Sequence, residues 1–112
     1  MITSAYEIPN LRFSLPAGAT VARHRFVKIN SGGEGVQAGV SDAILGVSMN
    51  QTAKGEVLEV ADGIVIVEAG GAITTGGLVT ADADGKAVTG QAGFVALTGA
   101  TAAGEFVSVK IN

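Results

Sequence analysis

An all-β fold in one small domain is what this sequence predicts, and three observations predict it. Short apolar or alternating runs recur, as in Val57-Leu58-Glu59-Val60, Ile64-Val65-Ile66-Val67 and Phe106-Val107-Ser108-Val109-Lys110-Ile111. Their Val, Ile and Phe suit the pleated, half-buried surface of a sheet. No run of helical length repeats its apolar residues every three or four positions. Glycine-rich turn signals separate the runs, and 112 residues suffice for one core but not for two full-size domains.

The elements follow in order. Residues 1–15 carry Tyr6, Ile8, Leu11, Phe13 and Leu15 on a segment interrupted by Pro9 and followed by Pro16. Proline fixes its own φ and disfavours helix at the residue before it, so this segment is extended. It reads as an N-terminal arm ahead of a β-rich domain at 16–112, or as an ordinary edge strand of that domain. On either reading, unpaired backbone groups and apolar anchors suit strand addition to a partner. Phe26-Val27-Lys28-Ile29 is the next strand, closed by the turn Gly32-Gly33-Glu34-Gly35. Leu45-Gly46-Val47-Ser48 precedes Val57–Val60. Asp62-Gly63 then stands between two apolar runs and predicts a hairpin, since both residues tolerate the positive φ of a type I′ turn. A second hairpin is predicted at Asp82-Ala83-Asp84-Gly85-Lys86, between Gly77-Leu78-Val79-Thr80 and Ala87-Val88-Thr89. Phe94-Val95-Ala96-Leu97 and the closing Phe106–Ile111 run complete the set.

The chain also echoes itself. Ala53-Lys54-Gly55-Glu56-Val57-Leu58-Glu59-Val60 matches Ala102-Ala103-Gly104-Glu105-Phe106-Val107-Ser108-Val109, each after a small apolar strand, and a weaker echo pairs Ala17–Val21 with Ala69–Ile73. This predicts an internal duplication of roughly fifty residues, with the first fifteen residues outside it. Two units are fewer than a stacked solenoid needs, so they are expected to share one closed or folded-over core.

Composition narrows the function. Hydrophobic residues make up 47% of the chain but aromatic ones only 4%, so the core is built from small and β-branched side chains and subunit contacts are expected to add buried area. Cysteine is absent, which excludes disulfides and thiol chemistry. The run Ile64–Val67 is far short of the ~18 residues of a spanning helix, so a soluble domain without a membrane partner is expected. The first residues, Met1-Ile2-Thr3-Ser4-Ala5-Tyr6-Glu7, carry no signal-peptide pattern. A net charge of -3 offers no basic field for nucleic acid. The charge is nonetheless uneven: Arg12, Arg23, Arg25 and Lys28 face only Glu7 within residues 1–33, while acids outnumber bases beyond them. Such asymmetry orients a protein on a partner or on its own copies.

Reactive constellations are missing. His24, the single histidine, lies between Arg23 and Arg25, whose charges disfavour its protonation. No Gly-x-Ser-x-Gly elbow accompanies it. Asp82, Asp84 and Gly85 resemble a fragment of a calcium loop, but the glutamate at its twelfth position is missing and the hairpin explains the same residues. Gly33-Glu34-Gly35-Val36-Gln37-Ala38-Gly39 has one residue too many for a dinucleotide fingerprint. Glu56 and Glu105 follow glycines at equivalent places in the echo, which is turn chemistry repeated. No catalytic residue, metal site or cofactor is therefore expected, and the product of this sequence is a surface.

One family carries the same pattern. Ala69-Gly70-Gly71-Ala72-Ile73-Thr74-Thr75-Gly76-Gly77-Leu78-Val79, then Asp82–Val88, Phe94–Leu97 and Ala102–Val109, resembles the capsid cement, or head decoration, proteins of tailed bacteriophages, over residues 16–111. The resemblance implies a β-tulip or β-clip-like barrel that sits as a homotrimer on the outer face of the virion capsid. It implies the major capsid protein as partner, bridging of its subunits, stabilisation of the expanded shell, synthesis in the host cytoplasm and no enzyme activity. Where that family commonly has Gly-Asp before the Leu-Val strand, this chain has Gly76-Gly77, and His24-Arg25 before Phe26-Val27. The candidate capsid or subunit interface comprises Tyr6, Ile8, Leu11, Arg12 and Phe13 on the first segment with Arg23, His24 and Arg25. The alternative is a small carbohydrate- or peptide-binding module of β-clip shape, for which one Tyr, four Phe and no Trp supply few stacking platforms.

Overall fold

The computed structural model describes residues 5–91 and 94–111, which form nine β-strands and no helix. Residues 1–4 of the expected arm, and Asn112, lie outside the described residues. The strands are β1 (Ile8–Pro16), β2 (Phe26–Ile29), β3 (Gly35–Gln37), β4 (Gly46–Ser48), β5 (Val57–Glu68), β6 (Leu78–Ala81), β7 (Ala87–Thr89), β8 (Phe94–Ala96) and β9 (Phe106–Ile111). They form one curled antiparallel half-barrel sheet in the order β3-β2-β4-β5-β9-β8-β6-β7, with β1 paired to β5 off this path. The all-β expectation therefore holds.

Strand β5, twelve residues long, joins the two ends of the molecule. Val60 and Ala61 pair with β4, while Gly63–Glu68 pair with β9. Alternation along a strand sends successive side chains to opposite faces. Leu58 and Val60 accordingly enter a small cluster with Ala17, Val21 and Val27. Ala61, Val65 and Val67 point the other way, into a larger cluster with Val79, Ala96, Val107 and Val109. β2 is shared likewise, with Val27 in the small cluster and Phe26 in the large one.

The Asp62-Gly63 hairpin is corrected: both residues lie inside β5, which runs straight through them. The dipeptide serves a bulge instead of a turn. The β1·β5 register shifts between Pro9 and Arg12, Gly63 takes φ +93°, and Asp62 Oδ1 accepts the Leu11 N–H at 3.0 Å. A Cβ on Gly63 would stand 2.6 Å from the Asn10 nitrogen, so the close approach of β1 explains the glycine as well as the φ does. The turn at Asp82–Lys86 forms where predicted, between β6 and β7.

Residues 8–16 pair along β5 from Ile8 opposite Ile64 to Pro16 opposite Val57. Phe13 and Leu15 turn inward against the small cluster. Their register has a counterpart. Leu15 opposite Leu58 in β1·β5 corresponds to Val67 opposite Val107 in β5·β9, so β1 sits in the same place as the second part of β5. Loop bonds recur in the same way: Ala17 N–H donates to the Glu56 carbonyl and Ala69 N–H to that of Glu105, and Val21 exchanges two bonds with Thr52 as Ile73 does with Ala100. This recurrence includes residues that the sequence places outside the echo.

Candidate functional site

Ile66 on β5 is where the first segment, through Glu7, meets the predicted residue His24. Its N–H donates to Glu7 Oε1 at 3.2 Å, and its carbonyl accepts from His24 Nδ1 at 3.2 Å, which fixes the proton on that nitrogen. The Ser108 hydroxyl, on the neighbouring strand β9, bonds both the N–H and the carbonyl of Tyr6. The His24 ring stands edge-on to Phe106, with centroids 5.0 Å apart. Tyr6, Glu7, His24 and Phe106 thus share one neighbourhood although they are far apart in sequence.

His24 adopts φ +64°, a conformation uncommon outside glycine. Its imidazole is held below its ordinary pKa. Burial is the main cause and the Arg23 charge the next, opposed by the Ile66 carbonyl and by Glu7 and Glu68. The neutral ring is consistent with its single hydrogen bond to a carbonyl.

The Arg23-His24-Arg25 triplet does not act as one charged patch. Arg23 faces solvent, while Arg25 turns inward and ties the first half of the chain to the second. Arg25 Nη2 lies 3.2 Å from Glu68 Oε1, its Nη1 donates to the Asp84 carbonyl at 3.2 Å, and Lys86 Nζ reaches Glu68 Oε2 at 3.5 Å. With its side chain only 15% exposed, Arg25 is a clamp of the fold.

On β1 the candidates divide by face. Ile8 and Leu11 are exposed at 63% and 54%, and Tyr6 ahead of the strand at 42%. Arg12 forms a surface ion pair with Glu59, of the exposed kind that contributes little stability. Phe13 is half-buried and belongs to the core. Tyr6, Ile8 and Leu11 are therefore the available apolar groups of this segment, and Phe106, 49% exposed, joins them. Sequence reasoning missed Phe106 because it opens a strand of good alternation. Its counterpart in the echo, Val57, is exposed as well, but that exposure is visible only in the fold.

A second exposed apolar region was also missed. The loop between β3 and β4 presents Val40, 67% exposed, and with Ala43, Ile44 and Phe94 it borders a hollow of about 470 Å³. Asp42 anchors this loop by accepting the Gly39 N–H at 2.7 Å and pairing with Lys28 at 3.1 Å. The two aromatic pairs, His24 with Phe106 and Phe26 with Phe94, do not converge on a common cleft, and Phe26 is fully buried. Among the described residues, no three His, Asp or Glu side chains assemble into a possible metal site.

The family described as phage cement protein matches residues 7–111, and the chain belongs to it. It is at that level a structural protein of a bacteriophage capsid. Among curated proteins no sequence matches. The fold is also that of the crystal structure of head fiber gp8.5 N base in bacteriophage phi29. That structure superposes with a TM-score of 0.77 at 23% identity, covering 91% of this chain and 93% of the other.

Proposed function

We propose that this protein binds the outer surface of the phage capsid as a homotrimer, bridges subunits of the major capsid protein and stabilises the expanded shell. The observation that carries the reading is that Tyr6, Ile8 and Leu11, on or just ahead of β1, and Phe106, which opens β9, are large apolar side chains left exposed. Several large apolar side chains exposed on and beside one strand suit an interaction site on a small protein. A shell repeats its attachment points many times, so modest contacts per chain become strong when one trimer engages several at once. The recurring strand pairings and loop bonds of the two halves fit the same reading, because two similar units in one chain can meet similar neighbours.

The direct experiment adds purified protein to expanded, undecorated capsids and measures bound copies per major capsid subunit after sedimentation. We expect saturable binding, a higher shell disruption temperature in decorated particles, and at least a tenfold loss of affinity in the double variant Ile8→Asp, Leu11→Asp. Both positions are exposed, so the variant folds. Removal of residues 1–15 is a poor substitute, since it strips Phe13 and Leu15 from the core. Undiminished occupancy by the double variant would move the contact away from β1, and no saturable binding at all would sink the decoration reading.

A further inference from the structure

Two turns of this chain are built alike and used differently. In Asn30–Glu34 the Asn30 Oδ1 accepts the N–H groups of Gly32 and Glu34. In Asp82–Lys86 the Asp82 Oδ1 accepts those of Asp84 and Lys86. Gly33 and Gly85 take φ +79° and +77°. The second turn is docked against the first half of the chain. The Gly85 carbonyl accepts the Phe26 N–H at 2.7 Å, the Asp84 carbonyl accepts Gln37 Nε2 at 3.0 Å, and a Cβ on Gly85 would lie 2.9 Å from the Phe26 carbonyl. The first turn touches nothing comparable: a Cβ on Gly33 would meet no atom within 4 Å.

The seat that receives the docked turn also has a counterpart. Phe26 stands opposite Val47 as Leu78 stands opposite Val95, and Ala38 N–H donates to the Phe26 carbonyl as Gly90 N–H does to that of Leu78. Phe26, whose backbone meets the docked turn, is fully buried in the larger core, whereas Leu78 is 43% exposed. One turn and one seat are thus joined within the chain, while their counterparts both face solvent.

We propose that the Asn30–Glu34 turn of one copy docks on the Leu78 seat of a second copy, in the way that Asp82–Lys86 docks on Phe26 within the chain. Thr89, the counterpart of Gln37, would face the turn's backbone carbonyls from β7. The occupant is a second copy because this chain already holds the matching turn, and the contact joins unlike surfaces head to tail, which closes into a ring at the threefold rotation of a homotrimer. This inference rests on the homotrimer reading and names the surfaces that would form it.

The chain has no cysteine, which makes the test direct. Gly32→Cys and Thr89→Cys are placed together in one full-length chain, treated with a short bis-maleimide and run under denaturing conditions; mass in solution and on capsids is followed in parallel. Gly32 has ordinary φ and room for a Cβ, and Thr89 is exposed. We expect covalent trimers from the double variant, monomers from each single variant, and dissociation of the trimer by Leu78→Glu with retained β circular dichroism. A trimeric mass without covalent products, or a trimer indifferent to Leu78→Glu, overturns this contact and leaves the homotrimer standing. A monomeric mass both free and on capsids, without covalent products, overturns both.

Discussion

The two cores of this molecule lie on opposite faces of β5 and are closed in different ways. The larger gathers sixteen buried residues, mostly Val and Ala, and takes Phe26, Ala38 and Val47 from the first half of the chain. The smaller holds five, Ala17, Val21, Val27, Leu58 and Val60, under the half-buried Phe13, Leu15 and Leu45. Similar backbone bonds therefore do not imply similar packing. With few aromatic residues available, the chain places its one fully buried ring, Phe26, where the halves meet, and leaves the other core thinner. A thin core covered by a terminal strand is also the end of the molecule where an added partner would contribute most burial.

Emptying each core in turn tests how much each contributes to the fold. Phe26→Ala removes the largest fully buried side chain, at the junction of the halves, and is expected to cost ~3–5 kcal/mol. Leu58→Ala, under side chains that can settle into the gap, is expected near the lower end of its class, about 2 kcal/mol. Urea unfolding midpoints at constant m-value measure both. A larger loss at Leu58 than at Phe26 would reverse the ranking of the cores.

The next effect compares the paired turns. Gly85→Ala carries the left-handed backbone penalty and a Cβ pressed against the Phe26 carbonyl, together about 3 kcal/mol. Gly33→Ala has the same φ but open space around it and is expected to cost about 1 kcal/mol. Equal losses in thermal or urea unfolding would mean that docking of Asp82–Lys86 adds nothing to the fold.

Much of this architecture was legible because it is local. Phe26–Ile29, Ala87–Thr89 and Phe106–Ile111 have the bounds that their alternation indicates, and the Asp82–Lys86 turn follows from its Asp and Gly. The Asp62-Gly63 error has a physical source: the positive φ of an Asp-Gly pair suits a hairpin turn and a bulge alike, and only the arrival of β1 beside it decides between them. The candidate site was half legible. The prolines and large apolar residues of residues 1–15 indicated an extended segment, arm or edge strand, without saying which of its side chains face outward. Its inward face, with Phe13, and the inward turn of Arg25 depend on contacts with Leu58 and Glu68, distant in sequence. The meeting of Glu7 and His24 at Ile66 is likewise a product of sheet order, which no spacing along the chain encodes.

The smallest expected effect tests the junction at His24. Because its folded pKa lies below the ordinary value of 6.5, the native state holds fewer protons than the unfolded chain as pH falls past that value. Stability contributed by the neutral ring is then complete above pH 6.5 and is lost as pH falls through the lower folded pKa. His24→Asn keeps a residue tolerant of positive φ and removes the titration. The stability difference between the natural chain and this variant, followed from pH 8 down to pH 5, should shrink steadily below pH 6.5. Asp42 and Glu105, also held below their ordinary values of 3.8 and 4.5, act only at lower pH and leave this window clear. A difference that instead grew on acidification would mean that Glu7 and Glu68, rather than burial and Arg23, govern the imidazole. The junction would then gain strength in acid, and its packing against Phe106 would have to be read as that of a charged ring.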